Sequence, residues 1–235
     1  RYGAILQQRR GLNPLLPPRL LKLPGVRFAL LIAVLFFTCW SGFMFCMALT
    51  LQAGAGMGAL ASGNSFIVLG ASYFIAALYA PKLIARYTPA PVLLAGVLVQ
   101  VSGVGVLIAT LAWQGNALTL WSIAPGTLLM GMGQAVIVNC FYRIGMRDIA
   151  TRDAGAGSAI LSTLQQACLG IGPAAAGALY QYLHQHLNGS YAHAMSGFLM
   201  AEALVMMGLG LATLLKRHTL HLSPVQAEAQ DGGRS

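Results

Sequence analysis

Apolar positions in this chain neither alternate nor mark a single helical stripe. They run on in six long apolar stretches at 28–51, 59–81, 91–113, 118–142, 154–183 and 194–215, free of Lys and Arg and charged only at Glu202 in the sixth. A bilayer core about 30 Å thick is crossed by about 20 residues rising about 1.5 Å each, and every stretch reaches that length. Membrane barrels instead use strands of about ten residues with alternating polarity. Lipid leaves helices as the other spanning structure, because every backbone N–H and C=O must be satisfied internally. The pattern therefore predicts an all-α membrane protein: a basic linker over 1–27, a six-helix transmembrane bundle over 28–215, and a polar tail over 216–235.

Composition agrees, with 57% hydrophobic and 8% charged residues against roughly 25% charged in a soluble domain. Charge adds orientation. Every Lys and Arg lies in alternate connections: Arg1, Arg9, Arg10, Arg19, Lys22 and Arg27 before the first stretch; Lys82 and Arg86 after the second; Arg143, Arg147 and Arg152 after the fourth; Lys216, Arg217 and Arg234 after the sixth. The intervening loops "LQAGAGMG", "QGNA" and "HQHLNGSY" hold none. Basic loops mark the cytoplasmic side, so both ends are expected inside the cell, and the net charge of +9 is a topology signal. No nucleic-acid partner is expected. The chain starts at Arg1 without the apolar core of a signal peptide, and it reads as a fragment that begins within a longer protein.

Chemistry-bearing groups are sparse. Cys39, Cys46, Cys140 and Cys168 all fall in spans with no CxxC spacing, which fits small buried apolar residues better than disulfides or zinc. His184, His186 and His193 lie near the outer face without a carboxylate, and solvated loop positions suit them. No GxSxG, HExxH or pair of intramembrane aspartates is present, so neither enzyme activity nor a cofactor is expected. "NGS" at Asn188 matches a glycosylation acceptor on the outer side. "LNPLLPPRLLKLPG" suits an irregular connector at the interface.

The fifth stretch contains "STLQQACLGIGPAAAG". Ser158, Ser162, Gln166, Gly170, Pro173, Gly177 and Gln181 recur every three or four residues and share one helix face. Small residues there let backbones approach, and amides can bond across the gap. Plain helix packing and a moving interface are both open readings. The fourth stretch has the same texture, with Pro125, Gly126, Gly131 and Gly133 followed by Gln134 and Asn139. Uncharged amides at membrane depth belong toward a bundle interior or a water-filled cavity. The first stretch offers Phe36, Trp40, Phe43, Met44 and Met47, a wall suited to apolar ligands of varied shape and equally to core or lipid-facing packing.

The run from "IAPGTLLMGMGQAVIVNCFYR" through "AGAGSAILSTLQQACLGIGPAAAGALY" resembles the late helices of the fourteen-helix drug:proton antiporter branch of the major facilitator superfamily. There a Pro-Gly helix, a cytoplasmic loop, an AG-x-x-S helix start and a T-x-QQ pair follow in this order. "QQRRGLNPLLPPRLLKLPGVR" is similar to that branch's linker ahead of its last six helices. The resemblance implies half of a secondary transporter, whose missing N-terminal half supplies a second bundle, with rocking of the two around a central substrate site. It implies an amphipathic small-molecule substrate, export coupled to protons, and a bacterial inner membrane. Trp40, Phe43, Met44, Met47, Gln134 and Asn139 would line the cavity. Ser158, Ser162, Gln165, Gln166, Gly170, Gly172, Pro173 and Gly177 would form the interface between halves. "PKLIARYTPAPVLL" departs from the family in lacking the Gly-Asp-Arg-Gly turn pattern, so no gating role is assigned to it. Glu202 is the one acidic residue within a stretch. An intramembrane carboxyl is a functional candidate, although the resemblance puts its helix at the periphery and leaves coupling residues unassigned. A non-transporting membrane subunit or channel-like protein is the alternative.

Overall fold

The structure, a computed structural model, describes the backbone of residues 18–221 and side chains to 218. The remainder of the linker and of the tail lies outside the described residues. Six long helices occupy the chain: α1 (Pro24–Gly54), α2 (Ala59–Tyr87), α3 (Pro89–Gln114), α4 (Leu120–Met146), α5 (Ala154–His186) and α6 (Tyr191–His221). No strand occurs among the described residues. Five of the six are long and apolar enough to cross a membrane. The exception is α5, which has 33 residues and no Lys, Arg, Asp or Glu, but whose Gly, Ser and Gln dilute its apolar content. The chain is a multi-pass membrane protein.

Helix ends differ from the apolar stretches for physical reasons. Pro24 starts α1 because a proline at the first helical position lacks an N–H that would be unpaired anyway. Helix α6 runs past Lys216 and Arg217 to His221, since basic residues end the lipid-compatible segment without ending the helix. Helix α2 is interrupted between Asn64 and Ile67. Its later part passes Pro81 and continues to Tyr87, leaving Thr88 alone, at φ 69°, between it and α3. Helix α1 contains two π-helical turns, Ala33–Phe37 and Thr50–Gly54.

The helices form two ranks. Helix α4 packs closely against both α2 and α3, α1 packs against α5, α1 meets α4, and α6 lies behind on α3. One broad side of the bundle therefore reads α2, α4, α1, α5 across, with α3 and α6 at the rear. Glycines set these approaches. A methyl group on Gly133 would stand 2.7 Å from the Gln100 backbone nitrogen and 2.8 Å from the Gly96 carbonyl on α3, and one on Gly131 would meet the Leu69 carbonyl of α2 at 2.4 Å. The described basic residues gather at one end, where Asp148 accepts the Gly25 N–H at 2.9 Å and pairs with Arg147, and Arg19 pairs with Asp153 at 2.8 Å. These contacts fasten the start of α1 to the α4–α5 connection.

Candidate functional site

The broad side carries an aromatic cluster that spans three helices. Trp40 of α1 stacks on Tyr73 of α2 with centroids 5.7 Å apart, and lies within 6.1 Å of both Phe36 and Phe37. Phe37 meets Phe141 of α4 edge-on at 5.0 Å, the geometry aromatic quadrupoles favour. The π-helical turn Ala33–Phe37 contains Phe36 and Phe37 and leads into Trp40. Such a turn inserts an extra residue and rotates the helix beyond it, which helps bring Phe36, Phe37 and Trp40 into one group. On the other flank the Tyr142 hydroxyl donates to the Gln165 side-chain oxygen, joining α4 to α5. Asn139, one turn before Tyr142, donates to the Ala135 carbonyl at 2.8 Å.

The candidate cavity residues divide in two. Trp40, Met44 and Asn139 are half-buried and retain exposed surface. Phe43, Met47 and Gln134 have no exposed surface and lie within the packing of the bundle itself. Both polar atoms of the Gln134 amide lack a partner, a costly state for a buried group and one that an ordered water relieves.

The candidate interface residues also divide. Gly172 faces α1: a methyl there would fall 2.4 Å from the Thr38 carbonyl and 1.8 Å from the Ser41 hydroxyl. Gly177 lies against the Phe45 ring, at 3.1 Å for an added methyl, and Gln165 is held by Tyr142. Pro173 is half-buried. Ser158, Ser162, Gln166 and Gly170 are exposed, with nothing within 4 Å of a methyl placed on Gly170. Helix α5 thus shows one face to α1 and another to nothing among the described residues.

Glu202 of α6 is 1% exposed and accepts from the Gln100 amide of α3 at 3.2 Å. Its second oxygen and the Gln100 carbonyl oxygen have no partner. This pair sits in the rear rank and does not reach the open side. Sequence reasoning missed Gln100, although an amide in the middle of an apolar stretch is a visible signal. It also missed Tyr73 and Tyr142, and the buried Thr50–Tyr180 hydroxyl pair, 2.8 Å apart, that links α1 to α5. At the outer end, His184 packs on Tyr191 and His186 stacks on Tyr182. No group of metal-ligating side chains forms among the described residues.

This arrangement has no nucleophile with a base beside it. It offers an aromatic and amide-lined surface between helices, one of which, α5, keeps an exposed small-residue and amide face. No protein-family model matches the chain. A curated protein does: the "Probable actinorhodin transporter" of Streptomyces coelicolor is 27% identical over 174 residues. The chain is similar to a transporter. The match takes in 74% of this chain and 30% of that relative, so the chain spans about a third of the length of the protein it resembles.

Proposed function

We propose that this chain is the C-terminal half of a secondary active exporter of the major facilitator type, which moves small amphipathic compounds across a bacterial inner membrane in exchange for protons. The outer face of α5 carries the reading. Exposed Ser158, Ser162 and Gln166, with Gly170 in line, occupy a helix otherwise surrounded by membrane spans. Polar side chains at that depth belong against protein or water rather than lipid. A second bundle would provide that surface, and the transporter relative is long enough to contain one.

In this reading α1 and α4 face the substrate path, α2 and α5 slide against the other half, and α3 and α6 stand outside. Trp40, Met44 and Asn139, joined by Tyr73, Tyr142 and Gln165, line the path. Phe43, Met47 and Gln134 support that wall from behind. Both chain ends are cytoplasmic. Alternating access follows from exchange of small-residue and amide contacts between the halves.

Gly170→Leu in the full-length protein tests it. An added Cβ there meets nothing within 4 Å in its own bundle, and the position is exposed, so the melting temperature in detergent should match the parent. Where the halves meet, overpacking of about 1–3 kcal/mol should lower efflux of every substrate by roughly ten-fold. Parent-level transport would show that no partner surface closes on this face.

A further inference from the structure

A second feature of the bundle lies away from the broad side. Helices α2 and α3 follow one another in sequence yet barely touch, because each packs on α4. Between them opens a cleft of about 780 Å³, within the roughly 300–1,000 Å³ of small-molecule sites. One wall is a stripe on α2 with a residue every four positions: Ile67, Ala71, Ile75, Tyr79, Leu83 and Tyr87. The floor belongs to α4 and the other wall to α3. Besides the two tyrosines, Ser72 is the one lining residue with a polar side chain, and its hydroxyl already donates to the Leu69 carbonyl at 3.0 Å. Away from the two tyrosine hydroxyls, a polar solute finds nothing free to bond here. A hydrocarbon chain does not need to.

The mouth of the cleft has a different character. Lys82 Nζ stands 5.8 Å from the Tyr79 ring centre, and the Arg86 guanidinium 5.2 Å from that of Tyr87. Both cations therefore lie against the two aromatic rings that line the basic end of the cleft. Cation–π contact holds such side chains in place while leaving their donors available. Arg143, exposed on α4 and seven residues beyond the lining residue Val136, falls on the same helix face at the same end. Among the described residues none of the three has a carboxylate within salt-bridge range. Three basic groups thus surround the entrance to an apolar slot at the level where a lipid headgroup lies.

We propose that this cleft binds an anionic phospholipid, with its acyl chain between α2 and α3 and its phosphate held by Lys82 and Arg86, with Arg143 close by. Charge complementarity selects the headgroup, and basic clusters beside transmembrane helices are known to take anionic lipids. The apolar stripe selects the chain. The site is independent of the transport reading, since it needs only a bilayer.

The test uses full-length protein purified in mild detergent, stripped of lipid, and exposed to phosphatidylglycerol or to phosphatidylcholine with the same acyl chains. Retained lipid is counted by native mass spectrometry. Phosphatidylglycerol should be retained at roughly ten-fold lower concentration than phosphatidylcholine, and Lys82→Gln with Arg86→Gln should abolish that preference. Ala71→Trp fills the slot without touching a charge and should also release phosphatidylglycerol. Arg217→Gln, at the same end of the bundle but outside the cleft, should leave the preference intact. Equal retention of the two lipids overturns the proposal, as does an Ala71→Trp protein that still prefers phosphatidylglycerol. A loss as large for Arg217→Gln would show general surface attraction. A cysteine at Ala71 that cross-links to the upstream part of the protein would assign the cleft to that segment instead.

Discussion

Helix α4 carries Gly126, Gly131, Gly133 and Gln134, while α5 carries Gly170, Gly172, Gly177, Gln165 and Gln166, and each contains one internal proline. On α4 these glycines are spent inside the chain, two against α3 and one against α2, and its glutamine is wholly enclosed. On α5 they are shared: Gly172 and Ala176 meet Gly42 and Ser41 of α1, whereas Gly170 and Gln166 look outward. The same residue types thus lie buried against neighbours in one helix and partly exposed in the other. Texture marks where close approach is possible; burial shows where it is made within the bundle.

The largest test of that contrast is Gly133→Leu. Its new side chain would enter the α3 backbone at Gln100 and Gly96, and backbone cannot rotate away. A loss of more than about 3 kcal/mol is expected, seen as failure to recover monodisperse protein by size exclusion. Next comes Gly172→Ala. The Ser41 hydroxyl can turn aside, but the Thr38 carbonyl at 2.4 Å cannot, so about 1–3 kcal/mol of stability should be lost, read as a lower melting temperature. Set beside Gly170→Leu, a smaller disturbance by volume would then damage the fold more. If both variants melt together, the division of α5 into two faces is wrong.

Smaller still is Tyr180→Phe. It removes the hydroxyl that meets Thr50 at 2.8 Å and leaves Thr50 its bond to the Cys46 carbonyl. About 1 kcal/mol is expected from a single neutral hydrogen bond, measured by thermal unfolding in detergent. A loss of several kcal/mol would mean that the α1–α5 contact depends on this pair more than on its glycines.

The helical plan was legible because lipid imposes it: six long apolar stretches, charged only at Glu202, become six long helices, and α5 falls short in apolar content for the same Gly, Ser and Gln that made its sequence conspicuous. Less could be read about which side each residue takes. Long apolar stretches carry little periodicity, so Phe43 and Met47 looked no different from Trp40 and Met44, yet only the latter two retain exposed surface. Gln134 and Asn139 are similar amides five residues apart on one helix, and only contacts separate the enclosed one from the half-buried one. Cross-helix pairs such as Gln100 with Glu202 were hidden, because nothing local in either stretch announces the other.

Thr88, the single residue between α2 and α3, bears on the order in which the bundle can assemble. Two neighbouring helices tied by one residue would be expected to zip together at once, since closing so short a loop costs little chain entropy. Here they diverge, and the surface that each needs belongs to α4, which is synthesised after both. The order of synthesis therefore leaves α2 and α3 without their main contact surface until α4 follows them. Gly131 and Gly133, facing opposite neighbours two residues apart, are where α4 then meets them.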